Sequence, residues 1–201
     1  MAYLCPSRRH AAYDRRMRIA HVEAGRHLYG GAAQVRYLVE GLTGRGVENV
    51  LLCPPGSALG AAVPPALVRE LPMRGELDVA LVVRLRRALE RLEPDLVHVH
   101  SRRGADLYGG LAAALAGIPA VLTRRVDARE PAALARLKYR PYRVVVALSR
   151  AIERQLLDAG VPGERIVPIA SAVDTRRHAP DPAARRRLRA TFGLPRASLV
   201  V

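Results

Sequence analysis

The sequence predicts an α/β protein: a Rossmann-like parallel sheet with helices on both faces. Three observations lead there. From Met17 onward, short runs of β-branched and leucine residues alternate with longer stretches of helical periodicity, and strands alternating with helices build parallel sheets. The strand candidates are almost continuously apolar, as strands covered on both faces are. Half of the 201 residues are hydrophobic, enough to bury a sizeable core.

The elements follow in order. Residues 1–16 have no periodic pattern and read as a disordered N-terminal extension, with Met17 a second candidate start. A strand over Ile19–Glu23 leads through Gly25 to Gly30-Gly31. A helix over 32–42 then places Val35, Leu38, Val39 and Leu42 on one face, and Gly44 and Gly46 stop it. Val50–Cys53 is a strand ended by Pro54-Pro55, Leu67–Leu71 a short third strand, and Leu77–Leu92 an amphipathic helix with its arginines toward solvent. The strand Asp95–His100 precedes an alanine-rich helix over 105–116, whose small residues allow close packing on the sheet. Ala120–Thr123, Val144–Leu148 and Ile166–Ile169 complete the strands. Between them lie helices over 131–139 and 150–159, the latter opened by Ser149, a good N-cap. The Rossmann-like domain thus spans 17–174. Residues 175–201 read as a linker, a basic helix over Arg185–Phe192 and the start of a further strand at Ser198–Val201, the truncated beginning of a second domain.

A net charge of +15 invites a nucleic-acid partner, since basic patches bind phosphate backbones through counterion release. Yet Lys138 is the one lysine among the basic residues, there is a single Phe, and no zinc-finger spacing or aromatic RNA-recognition signature is present. An anionic membrane surface or a phosphorylated substrate accounts for the charge at least as well. Cys5 and Cys53 are too few for a disulfide framework or a zinc site. No apolar run approaches the roughly 20 residues of a membrane span, and the first residues lack the apolar segment of a secretory signal. A cytoplasmic location is expected, with the inner face of the cell membrane within reach.

The most informative run is Asp95-Leu96-Val97-His98-Val99-His100-Ser101. Ligands collect outside the carboxyl ends of parallel strands, and that is where the run delivers His100. His98 and His100 alternate with valines and project from one face; with no third ligand at a recognisable spacing, no metal is expected. His98 reads as structural and His100 as the residue that meets the cleft. Gly30 and Gly31 let backbone N–H groups approach a phosphate or sugar at a helix N-terminus, or serve as a packing turn; the dinucleotide pattern G-x-G-x-x-G is absent. Thr123-Arg124-Arg125-Val126-Asp127 ends a strand on the same edge. There Arg124 and Arg125 could clamp phosphate and Asp127 could orient a hydroxyl; the bland reading is a solvated loop of Arg–Asp pairs. Ser149 has the same double reading.

Taken in order, Gly30-Gly31, the D-x-x-H-x-H-S run, the strand ending T-R-R-V-D, Leu148-Ser149-Arg150-Ala151-Ile152, and the close Gly160-Val161-Pro162 … Val173-Asp174 resemble the N-terminal, acceptor-side domain of a GT-B retaining glycosyltransferase of family 4. The resemblance runs from Met17 to the end. It implies two Rossmann-like domains facing a cleft, an acceptor (lipid, polysaccharide or small molecule) on the first, and a nucleotide-diphosphate sugar held mainly by the second. The sugar nucleotide is a substrate, so no cofactor is implied. His100 corresponds to a histidine placed beside the transferred sugar, where it bonds a hydroxyl and eases an oxocarbenium-like transition state. Gly30, Gly31, Ser101, Arg124, Arg125, Asp127 and Ser149 are the substrate-binding candidates. Where many members read Asn-Gly-Val-Asp, this chain has Ser171-Ala172-Val173-Asp174, which removes a glycine contact. The family's donor-binding glutamates would lie beyond Val201. The alternatives are another Rossmann-like enzyme with a nucleotide cofactor, such as an epimerase or dehydrogenase, and a non-catalytic basic module for membrane or nucleic acid.

Overall fold

The structure, a computed structural model, describes residues 16–100, 104–128, 130–195 and 197–199. Strands β1 (Arg18–Val22), β2 (Glu48–Cys53), β3 (Val68–Glu70), β4 (Leu96–Val99), β5 (Ala120–Arg124), β6 (Val144–Ala147) and β7 (Ile166–Pro168) form one parallel sheet in the order β3-β2-β1-β4-β5-β6-β7. Helices α1 (Gly30–Thr43), α2 (Ala58–Ala62), α3 (Leu81–Leu92), α4 (Ala105–Leu115), α5 (Ala132–Tyr139) and α6 (Arg150–Asp158) connect them. The chain walks from β1 outward to β3, returns through α3 to β4, and walks the other way to β7. Right-handed crossovers place helices on opposite faces of the sheet for the two directions of travel.

Two apolar clusters record this. Ala20, Val22, Val97 and Val99 pack with Leu81, Leu85 and Leu89 of α3 and with Ala112 and Ala113 of α4. On the other face, Leu51 and Cys53 pack with Ala32, Val35 and Val39 of α1 and Leu59 of α2. In α3 the leucines at i, i+4 and i+8 are fully buried while Arg86, Arg87 and Arg91 are exposed, so the predicted amphipathic face is present. Burial pushes the Cys53 thiol up to about 11, which leaves it an inert core residue.

Three expectations shift. The helix after β3 begins at Leu81 instead of Leu77, because the Asp78 carboxylate accepts from the Arg74 N–H and pairs with Arg84, turning the chain before the helix can start. Helix α2 was not expected; five residues are too few to show a period. No strand forms over 197–199, and Val200 and Val201 lie outside the described residues.

The chain divides between Ala170 and Ser171 into two compact units, the first holding the sheet. The second holds α7 (Pro182–Thr191), whose first turn is capped by Asp181 accepting from the Ala183 and Ala184 N–H groups, with Pro182 at the first helical position. That cap starts the basic helix three residues before the expected Arg185.

Small residues bring α4 close to the sheet. A methyl added at Gly109 would lie 2.9 Å from Val99, and one at Gly110 2.8 Å from the ring of Tyr142. Tyr142 is fully enclosed and donates to the Asp106 carbonyl at 2.6 Å. Alanine normally favours a helix over glycine by about 1 kcal/mol, while overpacking costs about 1–3 kcal/mol. Gly110→Ala is therefore expected to lower the thermal midpoint, and a midpoint equal to or above that of the native chain in a calorimetric scan would contradict this packing.

Candidate functional site

The direction of travel changes between β1 and β4, so the loops leaving their carboxyl ends diverge and open a crevice. A cleft of about 380 Å³ lies there. Its walls are Glu23, Gly25, His27, Tyr29 and Gly31 from the β1–α1 connection, His100 after β4, Thr123, Arg124 and Arg125 at the end of β5, and Asp106 and Tyr139. The β1–α1 connection is pinned from two sides. Glu23 Oε1 accepts from the Gly25 N–H at 2.8 Å, and Ser57 Oγ donates to the Gly25 carbonyl at 3.1 Å. The Ala58 N–H adds a bond to the Arg26 carbonyl at 3.0 Å. The short helix α2 thus anchors the cleft loop from its N-terminal end.

His100 is only 2 % exposed and still lines the cleft. It is not a lone histidine. The parallel register sets His21 beside His98, and His21 Nδ1 lies 3.0 Å from His100 Nε2. His21 Nε2 is 2.9 Å from Asn49 Oδ1, and His98 Nε2 is 2.7 Å from Thr123 Oγ1. The expectation of no third histidine is corrected: β1 supplies it from a strand distant in sequence, which spacing along one strand cannot reveal. Of the β4 pair it is His100 that lines the cleft, although His98 is the more accessible of the two.

The three side chains offer ligand nitrogens within 4.8 Å of one another. The His98 and His100 rings lie 3.9 Å apart with a tilt of 37°, and two of the nitrogens, His21 Nδ1 and His100 Nε2, bond each other. The arrangement is a hydrogen-bonded stack. Burial pulls all three imidazoles below their ordinary value. It takes His98 to about 3 and His21 down against the opposing Asn49 bond, and it drives His100 well down with added repulsion from His98, His21 and Arg125.

The arginine pair divides. Arg124, a predicted phosphate clamp, is 6 % exposed and pairs with Glu130 at 3.0 Å while donating to the Tyr139 hydroxyl and the Ala128 carbonyl. Lys138 joins Glu130 to Asp106, its contact to Asp106 at 2.8 Å, and Tyr139 donates to Glu130 at 2.9 Å. Burial pushes the Glu130 carboxyl up, but Lys138, Tyr139 and Arg124 together hold it below the usual carboxylate range. This buried network ties β5 to α4 and α5 and engages most of the Arg124 guanidinium. Arg125 has no such network; both arginines line the cleft, and each keeps a buried Nε without a partner among the described residues. Burial lowers its guanidinium and the nearby Glu23 charge opposes that, so it stays cationic. A methyl at Gly31 would lie 3.2 Å from Arg125 Cδ, which is why the second glycine matters; a methyl at Gly30 would meet open space.

Two further candidates lie off the cleft. Asp127 is exposed and accepts from Gln155 Nε2 of α6. Ser149 is exposed and caps α6, accepting from the Ile152 N–H at 3.2 Å. Ser101 lies outside the described residues. Sequence reasoning missed His27 and Tyr29, whose rings sit 5.4 Å apart at the lip, and Glu23, Asp106 and Tyr139. The loop after the first strand of a sheet that reverses direction is the signal that could have pointed to the first three.

Two measurements test this description. The three histidines have folded values below 6.5, so between the folded and unfolded values the unfolded chain binds more protons. Stability is then full above about pH 6.5 and falls as the pH drops, toward about 3 for His98. The urea midpoint is expected to be lower at about pH 5.5 than at about pH 7.5, with a slope of at most about 1.4 kcal/mol per pH unit for each histidine; a flat or rising profile contradicts the buried neutral stack. Lys138→Met leaves Asp106 and Glu130 short of a cation, and a loss of about 3 kcal/mol in chemical denaturation is expected.

No helix among the described residues is long and apolar enough to cross a membrane. A sequence search of curated proteins finds no match. Among solved structures, HepE of Anabaena in complex with UDP-glucose superposes with a TM-score of 0.72 at 17% identity, covering 89% of this chain and 50% of that one. The apo lipopolysaccharide outer core galactosyltransferase WaaB gives 0.61 at 14% identity over 79% of this chain and 46% of that one. A UDP-N-acetylglucosamine 2-epimerase gives 0.59 at 18% identity over 76% and 47%. The chain spans about half the length of these structures, and at such identities the likeness establishes the fold, one Rossmann-like half of the GT-B architecture. The family model described as Glycosyltransferase Family 4 matches residues 29–177, well over half of the chain. With the parallel sheet, the β1/β4 crevice and this match together, the chain belongs to Glycosyltransferase Family 4 and corresponds to its N-terminal GT-B domain.

Proposed function

We propose that this domain is the acceptor-side wall of a transferase site, in which a sugar passes from a nucleotide-diphosphate donor to a lipid, polysaccharide or small-molecule acceptor. One observation carries the reading: three buried polar atoms of cleft residues, His100 Nδ1, Arg124 Nε and Arg125 Nε, have no partner among the described residues. Buried polar atoms are nearly always satisfied, so the set suits an occupant that brings a hydroxyl and an anionic oxygen. A sugar nucleotide facing a hydroxyl acceptor brings both. In this reading His100 bonds a sugar hydroxyl and steadies charge on the ring in the transition state, while Arg125 holds an oxygen of a phosphate or carboxylate. Gly31 leaves room for the Arg125 stem beside the first turn of α1, which has no acidic residue to repel an anion. Solved structures of this fold include ones bound to UDP or UDP-glucose, in keeping with a nucleotide-sugar donor. Donor contacts fall mainly to the second GT-B domain, and the basic surface suits the anionic inner face of a membrane.

Titration of the 201-residue chain by NMR tests the reading, with UDP-glucose and a panel of hexoses, oligosaccharides and glycolipids as probes. Hydroxyl-rich ligands are expected to shift His100 and Arg125 signals, with affinity reduced about tenfold or more in His100→Ala and in Arg125→Ala. Sugar transfer is expected to be negligible with this chain alone, because catalysis needs donor and acceptor held together. Three results would overturn the proposal: tight binding of the nucleotide by this domain unaided, which favours a cofactor-dependent Rossmann enzyme; salt-sensitive vesicle or nucleic-acid binding as the sole activity, unaffected by His100→Ala; or transfer by the isolated chain.

A further inference from the structure

The polar chain that begins at Asn49 ends at the cleft, and each link dictates the next. Asn49 Nδ2 donates to the Val47 carbonyl and to Thr43 Oγ1, both at 2.9 Å. A carbonyl can only accept, so the amide cannot be turned over without setting two oxygens against each other. Its Oδ1 therefore faces His21 Nε2, 2.9 Å away, and that nitrogen must carry a hydrogen. A neutral imidazole has one N–H and one lone pair, so His21 Nδ1 is an acceptor. Its partner at 3.0 Å, His100 Nε2, must then be the donor. The remaining nitrogen of His100, Nδ1, is left with a lone pair and no partner among the described residues.

We propose that Asn49 and His21 are positioning residues that lock His100 in its Nε2–H tautomer, so that the nitrogen left for a ligand is an acceptor only. An acceptor of this kind selects the hydrogen-bearing end of an occupant: a hydroxyl or an amide N–H fits against Nδ1, whereas a phosphate or carboxylate oxygen would oppose lone pair to lone pair. The anionic part of the ligand is directed instead to Arg125, whose Nε, like that of Arg124, is a donor without a partner among the described residues. The His100 acceptor and these arginine donors thus have opposite polarity and fix which way round a ligand enters. The sugar-site reading supplies the identity of the hydroxyl; the tautomer follows from the hydrogen-bond chain itself. Neutrality of the stack, which the argument needs at His21, is what burial without a nearby carboxylate partner favours.

Long-range proton–nitrogen correlation spectra of the ¹⁵N-labelled 201-residue chain at neutral pH read the tautomers directly, because protonated and lone-pair imidazole nitrogens resonate far apart. Both His21 and His100 are expected to show protonated Nε2 and lone-pair Nδ1. In Asn49→Leu, which removes the acceptor of the His21 Nε2–H, and in His21→Phe, which removes the acceptor of the His100 Nε2–H, the two His100 nitrogens are expected to move toward averaged positions. A native spectrum with His100 protonated at Nδ1, or already averaged, overturns the proposal. So does either variant with the native pattern intact. If Asn49→Leu does not fold, the native and His21→Phe spectra decide. A failed tautomer leaves the transferase reading standing, whereas ligand titrations that fail with the tautomer in place count against the sugar site alone.

Discussion

The adjacency of β1 and β4 is the constraint from which the cleft follows. Parallel partners project paired residues to the same face, so the register that sets His21 beside both Leu51 and His98 brings together histidines 79 residues apart in the chain. A slip of one residue would turn His21 to the opposite face and set Ala20 or Val22 against α1. The same adjacency makes the connections after β1 and β4 diverge, which leaves His100 at the floor of a crevice instead of under a helix. Stack and crevice are two results of one strand pairing.

The site is bordered by polar groups buried in two contrasting ways. On the β5 side, charge is balanced by charge: Arg124 and Lys138 against Glu130 and Asp106. Such a network costs desolvation and returns it only while every member is present. On the β1 side, charge is avoided, and neutral imidazoles pass hydrogen bonds from Asn49 to the cleft. Between these two walls lies Arg125, the cation that neither arrangement consumes.

Much of the fold was legible because buried parallel strands announce themselves as short apolar runs, and helices such as α3 show their leucines at regular spacing. What was not legible depends on which strands are neighbours. His21 sits in the apolar run of β1 with nothing nearby to mark it, and only the strand order gives it company. Ser149 and Asp127 were placed on the right edge but not in the cleft; β6 lies two strands from β4, about 10 Å along the sheet, and Asp127 is drawn toward α6 by Gln155. The arginines were half readable. Alternation along β5 puts Thr123 and Arg125 on the side of His98, whose register partner is Val121, and Arg124 on the side of Leu122, so parity carried one step past the strand end already separates them. That Glu130 would receive Arg124 depends on the return of α5, which periodicity does not reveal.

Lys138 has a consequence beyond the network it completes. It is the one lysine of the chain, and it is 6 % exposed with its ammonium enclosed by two carboxylates. The large positive charge of the surface is therefore guanidinium throughout. Acylating enzymes and amine-directed reagents meet no accessible side-chain amine in these 201 residues, so the basic surface cannot be switched off by lysine acetylation.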